Sequence, residues 1–245
     1  MPNGETILTN AAMEPEIQDL QNFLNKMGAK VEGAGTNVVK ITGVKRLKDV
    51  SYNIMPDRIE AGTLLCMTAA TSGKLELNNV ITEHIAPIIN KLEECGCKFD
   101  INKNSVALEA PKKLRCVDIK TMPYPGFPTD MQSVFTSMLC TARGTSVIVE
   151  NIFENRYKYA NELKRMGAKI SIEGKIAIVK GVRKLSGTSV EATDLRGGAA
   201  VVLAGLVAKG KTTVNNIQHI LRGYENLDKK LNKVGAKIKL ERELS

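Results

Sequence analysis

Gly73-Lys74-Leu75-Glu76-Leu77-Asn78-Asn79 decides how the chain is read, because its pattern returns three more times. The copies are Gly4-Glu5-Thr6-Ile7-Leu8-Thr9-Asn10, Gly144-Thr145-Ser146-Val147-Ile148-Val149-Glu150-Asn151 and Gly210-Lys211-Thr212-Thr213-Val214-Asn215-Asn216. Each opens on glycine and then alternates with a period of two, as a half-buried strand does. A stretch with apolar residues at helical spacing follows: Leu20, Phe23, Leu24, Met27; Ile85, Ile88, Leu92, Cys95; Leu163, Met166; Leu227, Leu231, Val234. Every such helix meets a small-residue stop at Gly28, Gly96, Gly167 or Gly235, where glycine suits a left-handed cap. Three of the four continue into a further strand, around Val38–Ile41, Ser105–Leu108 and Ile176–Val179. The opening glycines lie 69, 71 and 66 residues apart, the mark of a repeated supersecondary unit.

Three units are led by an additional helix rich in Ala, Gly and Val, beginning at Asp57, Asp130 and Asp194. Helices apolar on all sides are buried. The fold class is therefore α/β, with repeated strand–helix–strand units around buried helices. A strand is expected over Val50–Met55, and a domain boundary near Asp57 divides residues 1–56 from 57–245. The first unit has no leading helix and the last has no closing strand, so the chain reads as N-terminally incomplete.

Composition fits a globular protein, with 43% hydrophobic and 25% charged residues and no Trp. No apolar run approaches the roughly 18 residues of a membrane helix. Met1–Glu5 has no basic region leading into an apolar stretch, so no signal peptide is expected and a cytoplasmic protein is. The five cysteines are odd in number, and Cys95-Gly96-Cys97 fits neither a zinc knuckle nor a CxxC pair; they read as buried thiols. With only His84 and His219 besides, no metal site is expected, and no cofactor. The net charge of +9 has two readings: solvated lysines such as Lys112-Lys113 and Lys229-Lys230, or attraction of an anionic ligand. Cations spread along the chain without aromatic stacking platforms argue against a nucleic-acid partner.

The aspartates opening the buried helices have an ordinary reading as N-caps. Asp130 has the most unusual context, Tyr124-Pro125-Gly126-Phe127-Pro128-Thr129-Asp130, a stiffened loop of the kind that holds a proton-accepting carboxylate in place. Arg156, Arg196 and Arg222 stand where strands give way to helices or at a helix start, where the dipole disfavours a cation. They are either ordinary ion-pair residues or, if they converge, a cradle for carboxylate or phosphate.

Six motifs carry a resemblance across nearly the whole chain: Asn10–Ile17, Pro56–Thr63, Phe127–Gln132, Phe153–Tyr157, Ala192–Arg196 and Arg222–Glu225. In this order they resemble the UDP-N-acetylglucosamine enolpyruvyl transferase family. The resemblance implies an inside-out α/β barrel with two domains of three βαβαββ units. Residues 1–56 would be the last unit of an otherwise missing first domain, and 57–245 the whole second domain. It implies transfer of enolpyruvyl from phosphoenolpyruvate to the 3-hydroxyl of UDP-N-acetylglucosamine, in peptidoglycan precursor synthesis, with both substrates as the partners. Carried over position by position, Asp130 becomes the base at the sugar hydroxyl. Ile152 and Phe153 line the nucleotide-sugar site, and Arg196 and Arg222 face phosphoenolpyruvate. Asp57 matches a hinge aspartate, with a structural role. The family's Lys-Asn pair and its cysteine-bearing loop have no counterpart here, so the chain alone is expected to be inactive. A shortened nucleotide-sugar-binding relative and the shikimate-pathway enolpyruvyl transferase are the competing readings.

Overall fold

The structure is a computed structural model that describes residues 4–241. The leader reading at Met1–Asn3, and the outermost residues of the two domain ranges, lie outside the described residues. In the first unit, β1 (Glu5–Thr9), α1 (Pro15–Lys26), β2 (Lys30–Glu32) and β3 (Val38–Thr42) form an antiparallel sheet in the order β1-β3-β2. The second unit is led by α2 (Arg58–Ala70). It repeats the topology with β4 (Lys74–Asn78), α3 (Ala86–Glu94), β5 (Lys98–Ile101) and β6 (Ser105–Glu109), in the order β4-β6-β5. The third adds β7 (Ile119–Lys120) and α4 (Gln132–Leu139) ahead of β8 (Thr145–Val149), α5 (Ala160–Arg165), β9 (Lys169–Glu173) and β10 (Ile176–Lys180). Its sheet runs β7-β8-β10-β9, so in all three units the last strand is central.

The fourth unit departs from this plan. It comprises β11 (Leu185–Ser186), β12 (Ser189–Glu191), α6 (Leu195–Val207), β13 (Ala208–Lys209), β14 (Thr213–Asn215), α7 (Gln218–Leu221) and α8 (Leu227–Lys233). Among the described residues its strands pair only in parallel, β11 with β13 and β12 with β14, and residues 236–241 add no closing strand.

The glycine stops behave as their sequence implies. Gly28, Gly96, Gly167 and Gly235 have φ of 97°, 104°, 95° and 100°, a conformation that β-carbon sterics disfavour for other residues. The strand expected over Val50–Met55 does not form. Residues there turn to α1 instead of a neighbouring strand. The Tyr52 hydroxyl donates to Asp19 Oδ1 at 2.8 Å, its ring meets Phe23 edge-on at 5.4 Å, and the Ser51 carbonyl accepts from Lys26 Nζ at 2.7 Å.

Helices α2, α4 and α6 pack against one another at the centre, with the sheets outside. Small residues let them approach: a Cβ on Gly198 would stand 2.5 Å from Ile220 Cγ1, and Ser137 Oγ donates to the Ala200 carbonyl at 2.7 Å. Among the described residues the main core runs from Ile59 to Leu231 and takes no side chain from the first unit, whose Val31 and Val39 are buried apart from it. Cys66, Cys95, Cys97 and Cys140 are buried and Cys116 is half-buried, all as free thiols. Burial pushes the Cys95 and Cys140 thiols up to about 12, which keeps them protonated and unreactive. Among the described residues no helix is long and apolar enough to cross a membrane.

Candidate functional site

The three buried helices begin at one pole of the domain, and their opening aspartates are used in two ways. Asp57 caps α2 by accepting from the Ile59 and Glu60 amides, and Asp194 caps α6 by accepting from Arg196 and Gly197. Asp130 does not cap. A single 3-10 turn, Thr129–Met131, intervenes before α4, and Asp130 turns its carboxylate to two arginines instead. The capping reading is thus overturned at the one aspartate with the stiffened loop. Loop position is fixed by Phe127, whose carbonyl accepts from the Met122 amide and whose ring meets Phe135 edge-on at 5.0 Å.

Arg156 Nη2 reaches Asp130 Oδ1 at 2.5 Å, and Arg196 Nη2 reaches Oδ2 at 3.0 Å. The carboxylate is 38% exposed while the guanidinium side chains are 19% and 14% exposed, so solvent reaches the anion better than its partners. Each arginine is also held from behind. Arg156 stacks over the Phe153 ring at 4.8 Å, and Arg196 donates to the Tyr224 hydroxyl at 3.3 Å. Tyr224, itself fully buried, shares a 3.0 Å hydrogen bond with Thr63 of α2. Arg196, Tyr224 and Thr63 therefore tie α6 to α2 beneath the site. Burial alone would raise the Asp130 carboxyl, but the Arg196 charge, with the hydrogen bond and charge of Arg156, outweighs it and holds the group below the usual carboxylate range.

Two residues of the site escaped sequence reasoning. Tyr224 lay inside a quoted motif without a role. Glu150 is a carboxylate 1% exposed at the end of β8. Its Oε1 accepts from Thr121 Oγ1 at 3.0 Å and from the amides of Ile152 and Phe153 at 2.9 and 3.1 Å. Thr129 Oγ1 donates to its two oxygens at 3.0 Å each. One buried anion thus fixes both the residue before Asp130 and the segment carrying Arg156. A signal for it existed. At the corresponding strand ends the other units have neutral Thr9, Asn78 and Asn215, followed by Asn10, Asn79 and Asn216 in left-handed conformation. Only the third unit puts a charge there.

The remaining expected residues divide. Ile152 and Phe153 are exposed at 39% and 48% beside the clamp, as apolar surface open to a ligand. Arg222 is not drawn in. It stands exposed at the C-terminal end of α7, not at a helix start, and makes no ion pair among the described residues. The dipole argument for it therefore fails, because a single cation at a helix C-terminus is favoured. A depression of about 440 Å³ on β4, β5 and β6 is remote from this chemistry, and its cations and carboxylates are mixed, with Lys74 paired to Glu109.

What the clamp can do follows from its charges. Asp130 is ionised and exposed enough to meet a hydroxyl. Two guanidinium groups against one carboxylate leave one positive charge and several N–H donors for an anion beside it.

Residues 1–231 match the family model described as EPSP synthase (3-phosphoshikimate 1-carboxyvinyltransferase). UDP-N-acetylglucosamine 1-carboxyvinyltransferase 1 of Caldanaerobacter subterraneus subsp. tengcongensis is 53% identical over 236 residues, covering 96% of this chain and 57% of that protein. The Geobacter metallireducens UDP-N-acetylglucosamine 1-carboxyvinyltransferase is 50% identical over 243 residues, 99% of this chain and 58% of its own length. The chain thus spans somewhat over half the length of the curated relatives it matches. Among solved structures, the enolpyruvyl transferase NikO from Streptomyces tendae aligns with a TM-score of 0.85 at 29% identity, covering 97% of this chain and 57% of that one. EPSP synthase from Acinetobacter baumannii, at 19% identity and a TM-score of 0.73 over 98% of this chain and 58% of its own, shares the fold.

Proposed function

The chain belongs to the EPSP synthase family of carboxyvinyl transferases, and from that premise we propose that it forms part of an enzyme acting on UDP-N-acetylglucosamine. The reaction is transfer of enolpyruvyl from phosphoenolpyruvate to the sugar 3-hydroxyl, with release of phosphate, in peptidoglycan precursor synthesis in the cytoplasm. The observation that carries this reading is the Asp130 carboxylate held between Arg156 and Arg196 beside exposed Ile152 and Phe153. Names of relatives 50–53% identical favour the UDP-sugar over shikimate 3-phosphate.

In this reading Asp130 takes the 3-hydroxyl proton as the oxygen adds to C2 of phosphoenolpyruvate, while a proton reaches C3. Elimination of phosphate with loss of a C3 proton then restores the enol ether. Arg196 neutralises charge on the phosphate or carboxylate, and Arg222 would join it only by moving inward. Arg156 keeps Asp130 aimed, and Ile152 and Phe153 line the nucleotide sugar. Residues 1–56 form the last unit of one domain and 57–245 a second, a division supported by a core that begins at Ile59. No residue of the described site is assigned the proton donor to C3, so residues 1–245 by themselves should not turn over.

Calorimetry with UDP-N-acetylglucosamine and shikimate 3-phosphate, beside a phosphate-release assay, tests these points. Binding of the UDP-sugar that Asp130→Ala weakens supports the assignment. Selective binding of shikimate 3-phosphate would replace it, and phosphate release by residues 1–245 alone would overturn the inactivity claim.

A further inference from the structure

At the pole opposite Asp130, the chain gathers cations that the sequence scatters. A depression of about 160 Å³ lies at the C-terminal ends of α2 and α6, marked by Ala70 and Val207, and is lined by Lys112, Lys113, Arg183 and Lys184. The repeat brings them together. Pro111-Lys112-Lys113-Leu114 and Val182-Arg183-Lys184-Leu185 leave the central strands β6 and β10 in the same way, each anchored by its buried leucine. Solvation was a sufficient account of Lys112-Lys113 as an isolated pair, but it does not account for two basic pairs facing one small concavity.

Three observations bear on this cluster. Lys40, Lys74, Lys91, Arg165 and Lys230 each lean on a glutamate, whereas other cations, Arg222 among them, have no ion pair among the described residues. These four cations make no ion pair among the described residues, and no carboxylate lines the depression. At two of the helix ends other groups already serve as caps: the Met67, Thr68 and Ala69 carbonyls of α2 accept from Thr71, Gly73 and Ser72, and the Cys140 carbonyl beyond α4 accepts from Val182 at 2.7 Å. Dipoles do not cancel the charge either. Three helix C-termini at roughly half a negative charge each offset about 1.5 of four positive charges, leaving roughly +2.5.

We propose that this depression binds a phosphoryl anion. The volume is below the roughly 300 Å³ at which pockets begin to hold drug-sized ligands, so it takes a phosphate or diphosphate group and not the sugar and base of a nucleotide. Lysines supply point charges and Arg183 a planar fork, the donors that phosphate oxygens take. No aromatic ring lines it, which disfavours a stacked single strand. The site is independent of the transferase reading, since 13-residue α2 separates it from the Asp130 pole by about 20 Å.

The test is a titration of ¹⁵N-labelled residues 1–245 with inorganic phosphate, inorganic pyrophosphate and a short single-stranded oligonucleotide, read at the amides of Ala70, Thr141 and Val207. Pyrophosphate should shift them saturably, with affinity that falls as salt rises. Lys113→Glu/Arg183→Glu, both at exposed positions, should weaken it about tenfold or more at unchanged Tm. Any pyrophosphate shifts near Asp130 should survive in that variant. Lys113→Gln/Arg183→Gln gives the same reading if the charge reversal unfolds the chain. Saturation by inorganic phosphate as well would identify a single phosphate group as sufficient. The proposal is overturned by shifts that stay linear, by equal affinity in the double variants, or by an oligonucleotide moving these amides where pyrophosphate does not.

Discussion

Replacing Glu150 should cost the protein several kcal/mol of stability, and the size of the loss can be worked from its bonds. The carboxylate is 1% exposed and accepts from two threonine hydroxyls and two backbone amides at 2.9–3.1 Å. A hydrogen bond to a charged group contributes about 1.5–3 kcal/mol, so the undiscounted loss in Glu150→Ala is about 6–12 kcal/mol. Two discounts apply. Thr121 Oγ1 already lies 3.5 Å from the Val149 carbonyl and can turn to it, and exposed Ile152 and Phe153 can give their amides to water. What remains is about 3–5 kcal/mol, or a fall in Tm of about 6–20 °C for a chain of this size. Glu150→Gln keeps the shape and one carbonyl oxygen and should lose about 1–2 kcal/mol. Urea denaturation measures both, and amide exchange at Ile152 and Phe153 should accelerate in parallel. Two variants within about 0.5 kcal/mol of the parent would refute this reasoning, as would Glu150→Gln losing as much as Glu150→Ala.

Asp130→Asn should lower Tm at neutral pH by leaving Arg156 and Arg196 facing each other. A carboxyl held below its ordinary value contributes stability above its unfolded pKa of about 4 and loses it as pH falls through the lower folded value. The Tm gap between parent and Asp130→Asn should therefore close under acid conditions; a pH-independent gap contradicts the clamp. Asp57→Ala and Asp194→Ala each remove a cap that accepts two amides and should cost about 1 kcal/mol by urea denaturation. Gly198→Ala gains helix propensity of up to about 1 kcal/mol. It also forces a Cβ to 2.5 Å from Ile220 Cγ1, and overpacking of about 1–3 kcal/mol should make the net effect destabilising.

The architecture was legible in the sequence because its rules act over a few residues. Alternation in Lys74–Asn78, helical spacing through Leu92 and the glycine stops at 28, 96, 167 and 235 depend on local backbone sterics and on which face is apolar, and the structure follows them. Val50–Met55 alternates as a strand does, yet pairing needs a free neighbouring edge, and Tyr52 packs on α1 instead. Asp57, Asp130 and Asp194 are alike in sequence position, and although the Pro-rich loop set Asp130 apart, nothing within a few residues names the partners it turns to. That choice belongs to packing, since Asp130 meets partners 26 and 66 residues away only once α4, α6 and the segment after β8 converge. The Lys112–Lys184 depression follows the same logic, whereas the Glu150 charge stood out in the repeat and only its threonine partners waited on the fold. By itself the sequence determined the repeated unit, its buried helices and which residue types were on hand. Tertiary structure alone decided which charges meet and which are left unpaired, because Coulomb and hydrogen-bond energies depend on distances that sequence spacing does not fix.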